Sequence, residues 1–370
     1  MKTPVMSIVF VPTVTCNCTC DYCFQRLTGR TISDHDWGFL FSKFLELAEE
    51  FGCCTLKVHW QGGEVMCLGP DRVRKGLETA SAVFSASGVT LEHHIQTNLL
   101  LYSTSEWRDL LRDNFLGNVS SSLDFPNIHR KTSSLSATEY TQTWLGKKEL
   151  AENDGFTVSV ISLPNSETLK LGAERFYRYY QDQVQVKNLQ VNFPIPSSRN
   201  RVQSLPLDEL AGFMIDLYDV WSDSGKELEL SPYKALDERI LNLRGATLCL
   251  WAPTCADSLI AVGPDGEVGQ CDCWITSLND FNFGSLNRDP VQTLMKSASR
   301  KLFVERPFKL IQNSECGDCH YWKICHGGCP VRAYTFSGEF FSPDHYCHVY
   351  RSIFAHILEN TRCVNQMGLT

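Results

Sequence analysis

"CNCTCDYC", residues 16–23, places four cysteines within eight positions, directly after an apolar stretch, "SIVFVP" (7–12), that reads as a β-strand. Three of them, Cys16, Cys20 and Cys23, form CxxxCxxC on one loop. A structural zinc site needs four ligands, usually in two pairs, and no fourth cysteine or histidine is suitably placed nearby in the sequence. Three thiolates on a short loop suit an iron–sulfur cluster with one iron left open, because thiolates are its usual ligands. Cys18 offers a different register, so the choice of three stays open, and the plain alternative is a loop with incidental cysteines.

Further along, strand-like and helix-like segments alternate. "TLKVHW" (55–60), "LEHHIQTN" (91–98), "NVSSSLDF" (118–125), "FTVSVISL" (156–163) and "LQVNFPI" (189–195) follow the first strand. Between them, "WGFLFSKFLELAEEF" (37–51) and "RVRKGLETASAVFSAS" (72–87) carry apolar residues at helical spacing. Six strands alternating with helices indicate α/β architecture built from parallel βα units. A partial, TIM-like (β/α)6 barrel and an open sheet both fit, and either puts the chemistry at the carboxyl ends of the strands. The expected organisation is a barrel over residues 1–205, a helical linker over 206–244 containing "LDELAGFMIDLYDVW", and a cysteine-rich domain over 245–370 that ends in a helix, "RSIFAHILENTRC".

A chain of 370 residues with net charge −8 is large enough for two cores and lacks the basic balance of a nucleic-acid binder. No apolar run reaches the ~18 residues of a membrane span. Pro4 and Pro12 interrupt the opening apolar stretch and no small-residue cleavage site follows, so it reads as a strand and not a signal peptide, which suggests a cytoplasmic protein. In that reducing setting, 17 cysteines point to metal binding over disulfides. Apart from the first group, they concentrate at Cys249, Cys255, Cys271, Cys273, Cys316, Cys319, Cys325, Cys329 and Cys347.

CxxxCxxC followed by an aromatic, "CTCDYCF" (18–24), after a first strand resembles the radical S-adenosylmethionine (SAM) superfamily. The resemblance implies a cluster whose open iron holds the SAM amino and carboxylate groups and whose electron cleaves SAM to a 5'-deoxyadenosyl radical. Gly62, Gly63 and Glu64 in "WQGGEVMCLG" (60–69) resemble the family's GGE motif, which meets the SAM amino group, with Val65 where proline is usual. Gln96 and Asn98 in "IQTN" (95–98) resemble its polar strand end near SAM. Ser122 and Asp124 in "SSSLDFPNIHRKT" (120–132) match its SLDG segment, with Phe125 replacing glycine. These polar residues could equally satisfy loop amides at strand ends.

The distal cysteines read C-x10-G-x4-C from Cys255 through Gly266 to Cys271, then "CGDCHYWKICHGGC" (316–329), then Cys347. This resembles the SPASM extension of radical SAM enzymes that modify peptides and proteins. The anaerobic sulfatase-maturating enzymes are similar over nearly the full length, and that resemblance assigns Cys249, Cys255, Cys271 and Cys329 to one auxiliary cluster and Cys316, Cys319, Cys325 and Cys347 to another. With the first site it implies three 4Fe–4S clusters and SAM as cofactors. It also implies Asp272 as the base that removes a substrate proton, although a turn aspartate would fit the same position. A zinc-ribbon reading would not explain the first group. Cys273 competes with Cys271, while Cys18, Cys53, Cys54, Cys67 and Cys363 read as packing residues, and His93, His94, His320 and His326 as structural.

The implied partners are a peptide or protein substrate and a reductant such as a flavodoxin or ferredoxin, with no nucleic acid and no membrane. Because Val65 and Phe125 depart from the motifs, the leading expectation is a maturase that installs a thioether or carbon–carbon link in a ribosomally made peptide. The alternative is a sulfatase-type maturase that oxidises cysteine or serine to formylglycine. An electron-transfer protein that never cleaves SAM is the third.

Overall fold

The computed structural model describes residues 5–195, 205–242 and 248–366. The junctions assigned to the linker near 205 and 244 therefore adjoin or fall outside the described residues, as does the side chain of Cys363.

The first half alternates as its periodicity suggests: β1 (Val5–Thr13), α1 (Asp36–Glu50), β2 (Thr55–Gly62), α2 (Pro70–Phe84), β3 (Thr90–Ile95), α3 (Thr104–Asn114), β4 (Asn118–Ser122), α4 (Ala137–Asn153), β5 (Thr157–Ser162), α5 (Ser166–Leu171), α6 (Ala173–Arg178) and β6 (Asn188–Val191). All the strands run parallel: β1, β2 and β3 form one arc and β4, β5 and β6 another. A bridge between Gln96 and Ser120, with the Thr97 N–H donating to the Ser120 carbonyl at 2.9 Å, joins the arcs into a partial barrel.

Alternation along each strand sends one face to the helices. From β1 and β2, Phe10 and Trp60 meet Trp37, Phe41 and Phe44 of α1, with ring centroids 5.2 Å apart for Phe10–Phe44 and 5.3 Å for Phe10–Trp60. Gly76 lets α2 sit against this cluster, since a Cβ there would lie 2.8 Å from Trp37. The opposite face of β2 and β3 carries Lys57, His59, Glu92 and His94, a polar interior.

The region read as a helical linker holds α7 (Leu207–Asp223), a short strand β7 (Glu229–Ser231) and α8 (Tyr233–Asn242). β7 extends the second arc by pairing parallel to β6. Three residues are too few for period-two alternation to show against flanking helical patterns, so the strand was invisible in the sequence.

The cysteine-rich half contains β8 (Leu259–Val262), β9 (Glu267–Gly269), α9 (Asp272–Thr276), β10 (Gly284–Ser285), α10 (Val291–Met295), α11 (Ala298–Asn313), α12 (Trp322–Cys325), α13 (Pro330–Ser337) and α14 (Cys347–Gln366). β8 pairs parallel to β1, with Ser7 opposite Leu259, and β9 and β10 continue antiparallel. The second half is thus stitched to the barrel through the sheet, and α14 packs along α7. Among the described residues no helix is long and apolar enough to cross a membrane.

Candidate functional site

The loop after β1 carries the first cysteine group at the carboxyl ends of the strands. Cys16, Cys20 and Cys23 are half-buried, whereas Cys18 is buried in the core at 5% exposure. The Cys18 N–H donates to the Cys16 sulfur at 3.3 Å, and the Cys23 N–H to the Cys20 carbonyl at 3.2 Å. Hydrogen bonding to Cys18 and the charge of Arg130 help lower the Cys20 thiol to about 7, while burial lifts Cys23 to about 11. Cys67 also reaches this loop: it receives the Asn17 N–H and lies within electrostatic reach of Cys16, which the sequence reading missed.

Gly62 and Gly63 pass under the end of β1. A Cβ on either would fall 2.3 Å and 2.2 Å from the Thr13 and Thr15 carbonyl oxygens, so both positions require glycine. The Gly63 and Glu64 N–H groups donate to those same carbonyls at 3.0 and 2.8 Å, fixing the chain immediately before Cys16. Glu64 itself is buried at 2% exposure. Its carboxylate accepts from the Thr97 hydroxyl at 2.6 Å, the Met66 N–H at 2.9 Å and the Asn98 N–H at 2.6 Å. Desolvation raises its pKa and these donors oppose the rise. The bonds from Thr97 and Asn98 tie the end of β2 to the segment after β3. Asn98 donates to the Asn17 side chain at 2.6 Å and to the Cys18 sulfur at 3.1 Å, and Gln96 forms the bridge between the arcs.

Asp124 is also consumed internally. One oxygen accepts from the Tyr22 hydroxyl at 2.5 Å and Arg130 Nε at 3.0 Å, and the other from the Leu163 N–H at 3.0 Å. Arg130 also lies over the Tyr22 ring, 5.2 Å from its centroid. Tyr22 stands inside CxxxCxxC, so Asp124 and Arg130 clamp the cysteine loop onto the ends of β4 and β5. Backbone bonds from Thr19 to Lys131 at 2.8 Å and from Asp21 to His129 at 3.2 Å complete the attachment. Ser122, nearby, is buried at 8% exposure. The two departures from family motifs are packing substitutions: Val65 is fully buried, and Phe125 stacks on Tyr179 at 3.8 Å.

In the second half the chain gathers two sets of thiols. Cys249 and Cys255 lie within electrostatic reach of each other and of Cys271 and Cys329. Cys316 neighbours Cys319, and Cys347 and Cys325 lie within reach of Cys316. Cys249 keeps surface exposure, yet the protein packed around its thiol pushes it up to about 12, and burial likewise raises Cys255, Cys325 and Cys329. No described cysteine forms a disulfide. Two groups of four thiols brought together from distant parts of the chain fit clusters whose iron would take them as thiolates. Cys273 remains beside Cys271, and their ligand atoms and that of Asp272 lie within 4.8 Å of one another.

Asp272 begins α9 between the two halves. Desolvation raises its carboxyl above the usual range, offset by its own N–H, that of Cys273 and the Gln25 side chain. Gln25, two residues after Cys23, is buried with its Oε1 unpartnered. The Arg26 N–H donates to the Thr276 carbonyl at 3.3 Å, so α9 is docked on the segment leaving the cysteine loop. Cys249 also lies within electrostatic reach of Asp272. A cavity of about 480 Å³ opens on the inner face of β4–β7 beside α8, and none of the candidate site residues line it.

No family model matches the chain. A cysteine-type anaerobic sulfatase-maturating enzyme from Clostridium perfringens (strain 13 / Type A) is 25% identical over 95% of this chain and 96% of its own. The solved structure "Native anSMEcpe with bound AdoMet" superposes with a TM-score of 0.83 at 21% identity, over 98% of this chain and 99% of that one. Streptococcus suis SuiB bound to its precursor peptide SuiA superposes with a TM-score of 0.59 at 14% identity, over 94% of this chain and 76% of that one. In sequence and in fold, then, this chain resembles the anaerobic sulfatase-maturating enzymes, of the radical SAM and SPASM type, over nearly its whole length.

Proposed function

We propose that the protein is a radical SAM enzyme that oxidises a residue of a peptide or protein, with Cys or Ser oxidation to formylglycine as the leading reaction. The order of the two maturase readings is thereby reversed from the sequence expectation. The similarity to sulfatase-maturating enzymes favours formylglycine, and the motif departures that spoke for a cross-linking maturase, Val65 and Phe125, are filled by core packing. The fold shared with SuiB, solved with a precursor peptide bound, supports a peptide substrate, and the cross-linking reading stands second.

When bound, SAM and the clusters would supply a 5'-deoxyadenosyl radical that takes a hydrogen atom from the substrate, and acceptors for the second electron. Cys16, Cys20 and Cys23 would hold the first cluster. Cys249, Cys255, Cys271 and Cys329 would hold the second, and Cys316, Cys319, Cys325 and Cys347 the third. The Gly62–Gly63 backbone, Gln96, Asn98 and Ser122 edge the SAM site, and Glu64 and Asp124 hold that edge in place. Asp272 takes the substrate proton. A flavodoxin or ferredoxin would serve as reductant.

The observation that carries this reading is Asp272, which lies beside Cys271, is hydrogen-bonded to Gln25 just after the cysteine loop and is within electrostatic reach of Cys249. A carboxylate there can accept the proton where hydrogen abstraction and electron removal would meet. In anaerobically reconstituted Asp272→Asn, 5'-deoxyadenosine from SAM is expected to persist while formylglycine in a sulfatase-derived peptide falls by about 10²-fold or more. Unchanged product would remove Asp272 from the mechanism. A wild-type protein that modifies a short precursor and leaves sulfatase peptides untouched would restore the cross-linking reading.

A further inference from the structure

Cys325 and Cys329 belong to different thiol groups, and only His326, Gly327 and Gly328 separate them. All three linking residues have positive φ, at 50°, 84° and 69°. A Cβ on Gly328 would meet the Asp344 Cβ at 2.4 Å, so the link is pressed against Asp344. Arg306, buried on α11, donates to the Gly327, Gly328, Phe340 and Ser342 carbonyls at 3.1, 3.0, 3.2 and 2.8 Å. Asp344 accepts the Cys329 N–H at 2.8 Å and pairs with Arg332 at 2.9 Å, while its own N–H donates to the Gly327 carbonyl at 3.0 Å.

Among the described residues no carboxylate lies within ion-pair distance of Arg306, although it is only 4% exposed. Keeping a guanidinium there costs solvation that carbonyl acceptors repay in part. Its charge reaches Cys255 and Cys329 in one thiol group and Cys316 in the other, and Asp344 reaches Cys329 and Cys325. Charge and hydrogen bonding around the sulfurs are among the main determinants of cluster potential.

We propose that Arg306 and the Arg332–Asp344 pair form one clamp that positions both auxiliary cluster sites and sets their potentials together. This rests on the reading that the two thiol groups hold clusters. A guanidinium stabilises the more negative, reduced state of each cluster, and the Asp344 carboxylate opposes it.

The test is an EPR-monitored redox titration of the fully reconstituted protein and three variants. Arg306→Gln is expected to move both auxiliary potentials more negative, Asp344→Asn to move both more positive, and Arg306→Lys to stay near wild type. Loosening of the fold alone would not give opposite signs. Shifts in the same direction, a shift at one cluster only, or Arg306→Lys behaving as Arg306→Gln would overturn the clamp. A wild-type protein without auxiliary iron would instead defeat the reading beneath it.

Discussion

Asp124, singled out by its motif, also holds the cysteine loop in place through its own hydrogen bonds. The resemblance implies a part in shaping the SAM or substrate site, and in the structure its two oxygens accept from Tyr22, Arg130 and the Leu163 N–H. Its pairing with Arg130 is buried, with side-chain exposures of 1% and 10%. Removing one partner of such a pair leaves a desolvated charge and costs about 3–5 kcal/mol. Asp124→Ala is therefore expected to unfold at clearly lower urea concentration and to lose iron first from the N-terminal site, as iron counting against the Cys16/Cys20/Cys23 triple alanine variant would show. Wild-type stability with full iron would mean the clamp is dispensable. Arg130, Gln25, Arg306 and Asp344 were not legible in the sequence, because a buried charged or amide side chain carries no periodicity and is recognised only by the partners that folding brings to it.

Among the elements, β1 to β6 were legible because short strand-like runs alternate regularly with helical patterns, and the cysteine loop fell where parallel strands put ligands. β7 was not, being three residues long inside a helical pattern. The β2–β3 pair also carries a pH response. The Trp60 indole N–H donates to His93 Nδ1 at 3.0 Å, which only a neutral imidazole can accept. Burial lowers His93 from 6.5 to about 4. A folded-state pKa below the unfolded one means the stability is fully present above pH 6.5 and is lost as pH falls toward 4. The loss per histidine is roughly 1.4 kcal/mol per pH unit across that window. Comparing urea midpoints at near-neutral and mildly acidic pH, His93→Gln should show a shallower decline than wild type. Equal slopes would mean that His93 titrates normally.

At the scale of the whole molecule, the two halves share a sheet. β8 supplies a parallel neighbour to β1, and α14 packs along α7. A boundary drawn from cysteine density alone would suggest separable parts, because long-range strand pairing leaves no local mark in sequence. Expressed alone, residues 1–242 would expose the β1 edge and the face of α7, and edges of that kind promote association. Size-exclusion chromatography should find this fragment aggregated or insoluble, and a monodisperse fragment would show that the barrel stands without its second half.

The central claim is that three separate cysteine groups hold clusters and that the first of them drives SAM cleavage. It is tested most directly by anaerobic reconstitution, counting iron and sulfide, then adding dithionite and SAM and measuring 5'-deoxyadenosine beside the Cys16/Cys20/Cys23 triple alanine variant. The expected result is about twelve irons per chain, as three four-iron clusters require, with deoxyadenosine formed by the wild type and absent from the variant. About four irons, or no deoxyadenosine from a fully loaded chain, would contradict it.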